Sequence, residues 1–229
     1  MFRESINAIV IAARMLLKNR RAFVAIVGAY AGLLAAVYLF VSTREATILQ
    51  LVLTMALVVI APALFFVLQT VSVSYTKGPL SRDLVRNCLK MIAVTVPVIG
   101  LTILGLYALG KVESYPTIAT SLRYLLIGVV APLLAIQLWI ATSSTGFRSL
   151  VRSLRKAFAP QLVFVYVLGF LIFAVAPYFL IIKTIPTERA WLELSLLLLR
   201  LMSAAVLILL GWVTTVGAIS ILSRRNETI

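Results

Sequence analysis

The sequence predicts an all-α fold, that of a polytopic integral membrane protein with six transmembrane helices. Of its 229 residues, 62% are hydrophobic and 12% are charged, which is outside the range of soluble domains. A span needs about 20 apolar residues to cross about 30 Å of hydrocarbon, and six uninterrupted runs are that long. Basic residues gather between alternate runs. The predicted spans are 22–41, 48–75, 91–110, 124–145, 160–182 and 194–222.

All six runs are expected to be helices. Lipid offers the backbone no hydrogen-bond partners, so a spanning segment is either a helix or a strand of a closed barrel. Barrel strands show about ten residues of alternating polarity, which these runs lack. The first run is longer than a cleaved leader and has no small-residue cleavage site after it, so it is interpreted as a retained span. The second and sixth runs exceed the bilayer's thickness and are expected to tilt or to continue as helix.

The positions of Lys and Arg predict the orientation of the chain, because basic segments resist translocation. Fifteen of the 21 basic residues lie in residues 1–21, 76–90, 146–159 and the C-terminal tail. Five lie in the other connections, and Arg200 lies inside the last span. The sequence therefore predicts a protein of the cell (inner) membrane with both termini in the cytoplasm and a strongly cationic cytoplasmic face.

Each cytoplasmic segment is expected to form an amphipathic helix at the membrane surface. At about 100° per residue, its basic side chains share one face and its apolar side chains the other. Two interpretations stay open: the helices only satisfy the topology rule, or they dock anionic lipid headgroups and a cytoplasmic partner protein. The basic faces consist of Arg14, Lys18 and Arg21; Arg82, Arg86 and Lys90; and Arg148, Arg152 and Arg155.

The chain is predicted to be a single membrane domain, 1–229, made of three repeats at 1–75, 76–145 and 146–222. Each repeat is one interfacial helix followed by a transmembrane hairpin. Gly32, Gly100 and Gly169 follow the three basic faces at similar distances, and Trp139 with Thr142 matches Trp212 with Thr215. Three parallel copies differ from the inverted repeats that are common in secondary transporters.

Composition excludes several kinds of chemistry. The chain has no His, one Cys and no acidic residue in the interior of a span. It therefore lacks the groups of a His-ligated zinc site, a thiol–imidazole nucleophile or an intramembrane carboxylate relay. No phosphate-binding or nucleophile-elbow motif is present. We expect no catalytic residue, cofactor or metal, and no nucleic-acid partner, since every basic cluster flanks a span.

Uncharged polar residues gather toward the cytoplasmic ends of the return spans. In one interpretation they line a cytoplasm-facing vestibule. In the other, their hydroxyls bond their own backbone or join neighbouring helices. They are Gln69, Thr70, Ser72 and Ser74; Gln137, Thr142, Ser143, Ser144 and Thr145; and Thr214, Thr215 and Ser220.

Two further features concern the interior of single spans. Arg200 is expected to turn outward and pair with Glu193, seven residues earlier on the same face; contact with an anionic substrate is the alternative. In the first span, Gly28 and Gly32 form a small-residue stripe that predicts close helix packing, either within the chain or between chains.

The unit of interfacial helix and hairpin, with its Arg82-x-x-x-Arg86 and Arg148-x-x-x-Arg152 helices, resembles bacterial inner-membrane families of uncharacterised function. They include the membrane domain found fused to glycerophosphodiester phosphodiesterases. The six spans and the leading amphipathic helix also resemble permease subunits of ATP-binding-cassette exporters. That resemblance implies that 79–90 is the helix that contacts the ATPase. The chain departs from those permeases in its threefold repeat.

From these features we expect a non-enzymatic, membrane-embedded subunit or scaffold. Its basic cytoplasmic face would contact anionic membrane lipids and a partner protein or larger membrane complex. The alternative is a transport protein, either the permease subunit of an ATP-driven exporter or a pathway for lipid or a small solute.

Overall fold

The computed structural model describes residues 2–43, 47–77, 84–111, 116–144, 157–183 and 189–225. Over these ranges its regular structure is helical, and six of its helical segments are long and apolar enough to cross a membrane. The predicted fold class is thus confirmed. The helices are α1 (Phe2–Lys18), α2 (Arg20–Ser42), α3 (Ile48–Ser74), α4 (Leu84–Gly110), α5 (Pro116–Leu125), α6 (Ala131–Ser144), α7 (Pro160–Phe170), α8 (Ala176–Ile182) and α9 (Ala190–Arg225).

Asn19 separates α1 from the first span. Its backbone, at φ −92° and ψ 77°, leaves the helical region. Its side chain accepts a hydrogen bond of 3.2 Å from the backbone N–H of Ala22. This bond satisfies one of the N–H groups that a helix start leaves without a partner. The chain therefore changes direction where the basic segment meets the first apolar run.

The second basic segment differs from its prediction as a separate surface helix. α4 begins at Leu84 and continues without a break into the third span. No Gly or Pro lies between Leu84 and Met91, so nothing in the backbone ends the helix there. Arg86 and Lys90 consequently stand on the first two turns of the spanning helix. Arg82, Arg148, Arg152 and Arg155 lie outside the described residues.

Two short π turns interrupt the fourth and fifth spans. One, Leu126–Val130, joins α5 to α6, and the other, Leu171–Val175, joins α7 to α8. Both carry the pattern L-I-x-x-V-A-P, which ends at Pro132 and Pro177. Proline has no N–H and its ring clashes with the carbonyl four residues earlier, and a widened turn moves that carbonyl away. The sequence pattern thus accounts for the position of both turns.

The contacts group the chain into two compact units, Arg14–Ala157 and the combination of Met1–Ala13 with Phe158–Ile229. The first unit contains two antiparallel hairpins, α2 with α3 and α4 with α5 and α6. The second contains one hairpin, α7 and α8 with α9. The closed end of a hairpin is the end at which the chain passes from the outgoing span to the return span. The open end is the opposite end. The threefold repeat stays a prediction.

The return helix of every hairpin is buried at the open end. The buried runs are longer than one helical turn of 3.6 residues, so the helix is covered on all sides. Toward the closed ends the same helices expose large apolar side chains such as Leu49, Met55, Leu194 and Met202. The exposed halves suit contact with lipid. The buried runs are residues 68–73 of α3, 135–142 of α6 and 215–220 of α9.

The first hairpin packs along small residues of α2, but the predicted stripe is only half correct. A Cβ at Gly32 would lie 3.3 Å from a methyl group of Leu64, so this glycine is part of the packed face. Gly28 has nothing within 4 Å and is exposed. The buried face runs through Ala29 instead, and adjacent residues point about 100° apart on a helix. A contact between chains at Gly28 stays a prediction.

The third hairpin has a closer approach at Gly169. A Cβ at this position would overlap the side chain of Thr215 on α9, whereas a Cβ at Gly100 would meet nothing within 4 Å. The two glycines hold corresponding positions in the predicted repeat. Of these two positions, only 169 needs a glycine for the helices to pack.

Gly169→Ala is expected to lower the stability of the protein by about 1–3 kcal/mol, because the added methyl group enters filled space. Thermal unfolding in detergent, followed by circular dichroism, measures the change. Gly100→Ala is the matched control and should leave the midpoint unchanged or raise it slightly, since Ala favours a helix more than Gly does. Equal midpoints for the two variants would contradict the close contact with Thr215.

Candidate functional site

The structure buries the intramembrane polar residues. Gln69 and Thr70 of α3, Gln137 and Thr142 of α6, and Thr215 of α9 are at most 4% exposed. Side chains that line a water-filled vestibule would be exposed to it. Their burial therefore favours the interpretation in which polar groups join helices. The side chains of Ser143, Ser144 and Thr145 lie outside the described set.

The hydroxyl groups in this set bond the backbone of their own helices. Their donors reach carbonyl oxygens three or four residues earlier, at 2.6 to 3.1 Å, in Thr70, Ser72, Thr142 and Thr215. Such bonds use the hydroxyl donor locally and leave oxygen lone pairs for a neighbouring helix. The hydroxyls can thus lie in the interior without a water-filled path beside them.

Three helices of the first unit meet at a hydrogen-bonded cluster that we call the polar joint: Thr70, Met91, Thr95 and Trp139. The indole N–H of Trp139 donates to Thr95 Oγ1 at 2.8 Å, and the Thr95 hydroxyl donates to the Met91 carbonyl at 2.6 Å. The hydroxyl oxygen of Thr70 lies 3.3 Å from the Met91 sulfur. The joint therefore connects α3, α4 and α6 at one level.

Sequence reasoning found half of the polar joint. Thr70 and Trp139 stood out as polar or amphipathic residues near the end of a return span. Met91 and Thr95 were missed because they lie on an outgoing helix, where a single Thr in an apolar run carries no pattern. The spacing of four residues, about one turn of a helix, places Met91 and Thr95 on the same face of α4 and could have indicated that they act together.

Arg200 bonds the preceding helix, so the expected pair with Glu193 is corrected. Its Nε donates to the carbonyl of Leu180 at 2.6 Å and its Nη2 to that of Ile181 at 3.2 Å. Both carbonyls belong to the last turn of α8, whose oxygens have no partner within the helix and carry its negative dipole end. Glu193 lies about 10 Å away along the helix axis, whereas these carbonyls lie beside the guanidinium.

In the second hairpin, too, an arginine of the return span binds a carbonyl at the end of the outgoing span. Arg123 Nη2 donates to the carbonyl of Leu109 at 3.0 Å, one residue before the end of α4. In the first hairpin, Thr47 and Gln50 form a reciprocal capping box at the start of α3. Thus each closed end supplies side-chain partners to backbone groups that would otherwise be exposed to lipid.

The helix α1 has three faces. One face is buried and contains Ser5, Ala8, Ala12 and Leu16. The second is basic and exposed and includes Arg3, Arg14 and Lys18, with Arg21 in the same direction at the start of α2. The third is apolar and exposed and contains Phe2, Ile6, Val10 and Leu17. The apolar face predicted from the sequence is therefore divided into a buried part and an exposed part.

The first turns of α1 are held against α7. The rings of Phe2 and Phe164 lie 4.7 Å apart, and Gln161 Nε2 donates to Glu4 Oε2 at 3.4 Å. The start of α1 is therefore fixed on α7 by side chains outside the buried face.

Neither metal-binding residues nor known relatives point to a function. Within the described ranges, no three His, Cys, Asp or Glu side chains are placed to hold a metal ion. Comparisons of the chain with models of protein families, with curated proteins and with solved structures return no match. The two resemblances stay expectations, and the function is argued from the geometry.

Trp139→Phe is expected to lower the stability of the protein by about 1 kcal/mol, because it removes the N–H donor of the polar joint. A double-mutant cycle with Thr95→Val should give a coupling energy of about 0.6 to 1.7 kcal/mol, the range of hydrogen bonds between membrane helices. Unfolding in mixed micelles with denaturant measures all four proteins. Trp191→Phe is the control, since Trp191 is 64% exposed. A coupling energy of zero would show that the bond does not hold the helices together.

Arg200→Met is expected to destabilise the third hairpin by about 1 kcal/mol through loss of the cap on α8. Glu193→Gln should leave the stability unchanged, because Glu193 does not hold the guanidinium. Thermal unfolding in detergent compares the two variants. If Glu193→Gln destabilises the protein as much as Arg200→Met does, the ion pair is the functional contact and the cap is not.

Proposed function

We propose that this protein is a non-enzymatic, multi-pass subunit or scaffold of the cell (inner) membrane. Its cationic cytoplasmic face holds anionic lipid and presents a docking surface to a partner protein. The observation that carries the proposal is α1, where an exposed basic face stands beside an exposed apolar face on a helix whose remaining face is buried against the protein.

The two exposed faces of α1 match the two layers of a membrane surface. An apolar face of this kind enters the boundary between headgroups and acyl chains by about 5–10 Å. Arg14, Lys18 and Arg21 then lie at the level of the phosphates, where each cation contributes about 1 kcal/mol on an anionic leaflet. Because α1 is anchored, the binding of lipid does not have to order it.

The charge of the chain supports a partner as well as lipid. The formal net charge is +14, and no His is available for acid–base chemistry near neutral pH. A surface with this charge attracts an acidic protein surface over the range of the Debye length, about 8 Å at physiological salt. We expect the partner to be acidic where it meets this face.

Transport is the competing function, and the interior of the hairpins weighs against it. Gln69, Thr70, Gln137 and Thr215 are buried at the packed open ends, and the hydroxyls of both threonines bond their own helices. A solute pathway would need these groups to face an opening.

Replacing Arg14, Lys18 and Arg21 together by Gln is expected to remove most of the anionic lipid that copurifies with the full chain, because three contributions of about 1 kcal/mol correspond to about a hundredfold in affinity. Lipid extraction and mass spectrometry after purification in mild detergent measure it. The same samples should contain a stoichiometric partner with the wild type and less of it with the variant.

The matched control removes the same charge elsewhere, by Lys111→Gln, Lys183→Gln and Arg189→Gln together. These exposed residues stand at the closed ends and should not affect either measurement. Equal lipid loss in both triple variants would contradict a specific role for the basic face of α1. Recovery of the wild type alone, with solute or lipid flux from reconstituted vesicles, would favour the transport protein.

A further inference from the structure

An apolar groove of about 340 Å³ lies between α4 and the fourth span. Its walls include Val94, Pro97 and Leu101 on α4 and Leu126, Ala131 and Leu134 on the facing segment. The volume falls in the range of about 300–1,000 Å³ that is usual for small-ligand sites. The one hydroxyl of the lining, on Thr102, donates to the carbonyl of Val98 at 2.7 Å and so is already satisfied. The groove therefore suits an apolar chain.

Local structure explains why the two helices leave this space open. The π turn Leu126–Val130 forms part of one wall, and the N–H of Ala131 donates to the carbonyl of Leu126, five residues earlier. The small side chains of Ala93 and Ala131 face the groove from opposite walls. A π turn inside a spanning helix is uncommon and frequently marks a functional site.

Two cations stand directly along the helix from the groove. At about 100° per residue, Arg86, Lys90, Ala93, Pro97 and Leu101 fall within an arc of about 80° on α4. Arg86 is exposed and Lys90 is half-exposed. One stripe of α4 therefore carries two positive charges at its open end and the wall of an apolar groove beyond them.

We propose that the groove holds an acyl chain of an anionic phospholipid whose phosphate lies between the side chains of Arg86 and Lys90. From Lys90 to Leu101 the helix rises about 16 Å, at about 1.5 Å per residue. Half of the hydrocarbon layer is about 15 Å thick, so the stripe has the length of one leaflet. The inference deepens the proposed function and rests on it in one respect, that the open ends face an anionic leaflet.

Charge complementarity selects the lipid over a second helix as the occupant. A phospholipid carries its phosphate immediately beside its acyl chains, in the order in which α4 presents cations and groove. A helix in the groove would have to bring an acidic residue to the level of Arg86 and Lys90. The chain has 7 acidic against 21 basic residues, so a second copy of it matches these two cations less well than an anionic phosphate does.

The test reconstitutes the full chain in vesicles that contain phosphatidylglycerol with a photoactivatable diazirine in one acyl chain. After illumination, mass spectrometry of peptides maps the cross-links. We expect them to concentrate in residues 93–102 and 126–134. Arg86→Gln together with Lys90→Gln should reduce labelling there by about thirtyfold, the effect of two cations near an anionic surface. A phosphatidylcholine probe should label these residues less.

Two further variants test the groove itself. Ala131→Phe fills it and should abolish the concentrated labelling, whereas Ala35→Phe, on an exposed position of α2, should not. If Ala131→Phe does not fold, as judged by gel filtration, the charge variant decides alone. Labelling that is spread evenly over the outward faces, or unchanged by the loss of Arg86 and Lys90, would overturn the proposal. So would a dimer cross-linked through this face in place of lipid.

The α1 variant, with Arg14, Lys18 and Arg21 replaced by Gln, separates this inference from the proposed function. It should lose bulk anionic lipid and keep the labelling of the groove. Loss of bulk lipid with no groove labelling in the wild type would remove the lipid site and leave the proposed function intact. Groove labelling in the wild type, with no effect of the α1 variant on bulk lipid, would support the lipid site and contradict the proposed role of α1.

Discussion

The fold depends on one constraint: every backbone N–H and C=O group at membrane depth needs a partner inside the protein. Helices meet this constraint along their length but leave groups free at their ends. The closed ends of the hairpins are where this shortage is met by side chains. Arg123 and Arg200 reach back from a return helix to the carbonyls of the outgoing one, and Thr47 caps its own helix. The guanidinium groups of Arg123 and Arg200 therefore bind backbone carbonyls, which reduces their availability to a ligand.

The same constraint explains the polar interior of the open ends. Threonine and serine hydroxyls first bond their own helices, and the oxygen atoms that remain join neighbouring spans, as Thr95 does for Trp139. Polar groups engaged in this way stabilise packing, and Gln69, Gln137 and Thr215 are buried with them. The open ends are thus closely packed in the interior and cationic at the surface. For this reason we place the binding of lipid and partner at the surface, on α1 and at the start of α4.

The three hairpins each pair an outgoing with a return span, but they differ in their glycine contacts and in their π turns. Gly32 and Gly169 admit a side chain from the return helix, while Gly100, at the corresponding position, faces open space. The second hairpin has a π turn and an apolar groove beside α4, and the third has a π turn in its outgoing span. A hairpin that leaves an apolar groove next to two cations is suited to hold a lipid as part of its structure.

The sequence by itself determined the number of spans, because the hydrocarbon thickness requires about 20 apolar residues for each. The third and fourth spans begin seven and eight residues before the predicted apolar runs, at Leu84 and Pro116. The break at Asn19 and both π turns agree with local sequence features, but the structure was needed to find them. Only the tertiary structure decided the partner of Arg200, the exposure of Gly28 and the role of Thr95. Each of these depends on which residue of another helix, or of another turn, comes within contact distance. Hydrophobic periodicity is nearly featureless in a span that is apolar on all sides, so it cannot specify which face meets which neighbour.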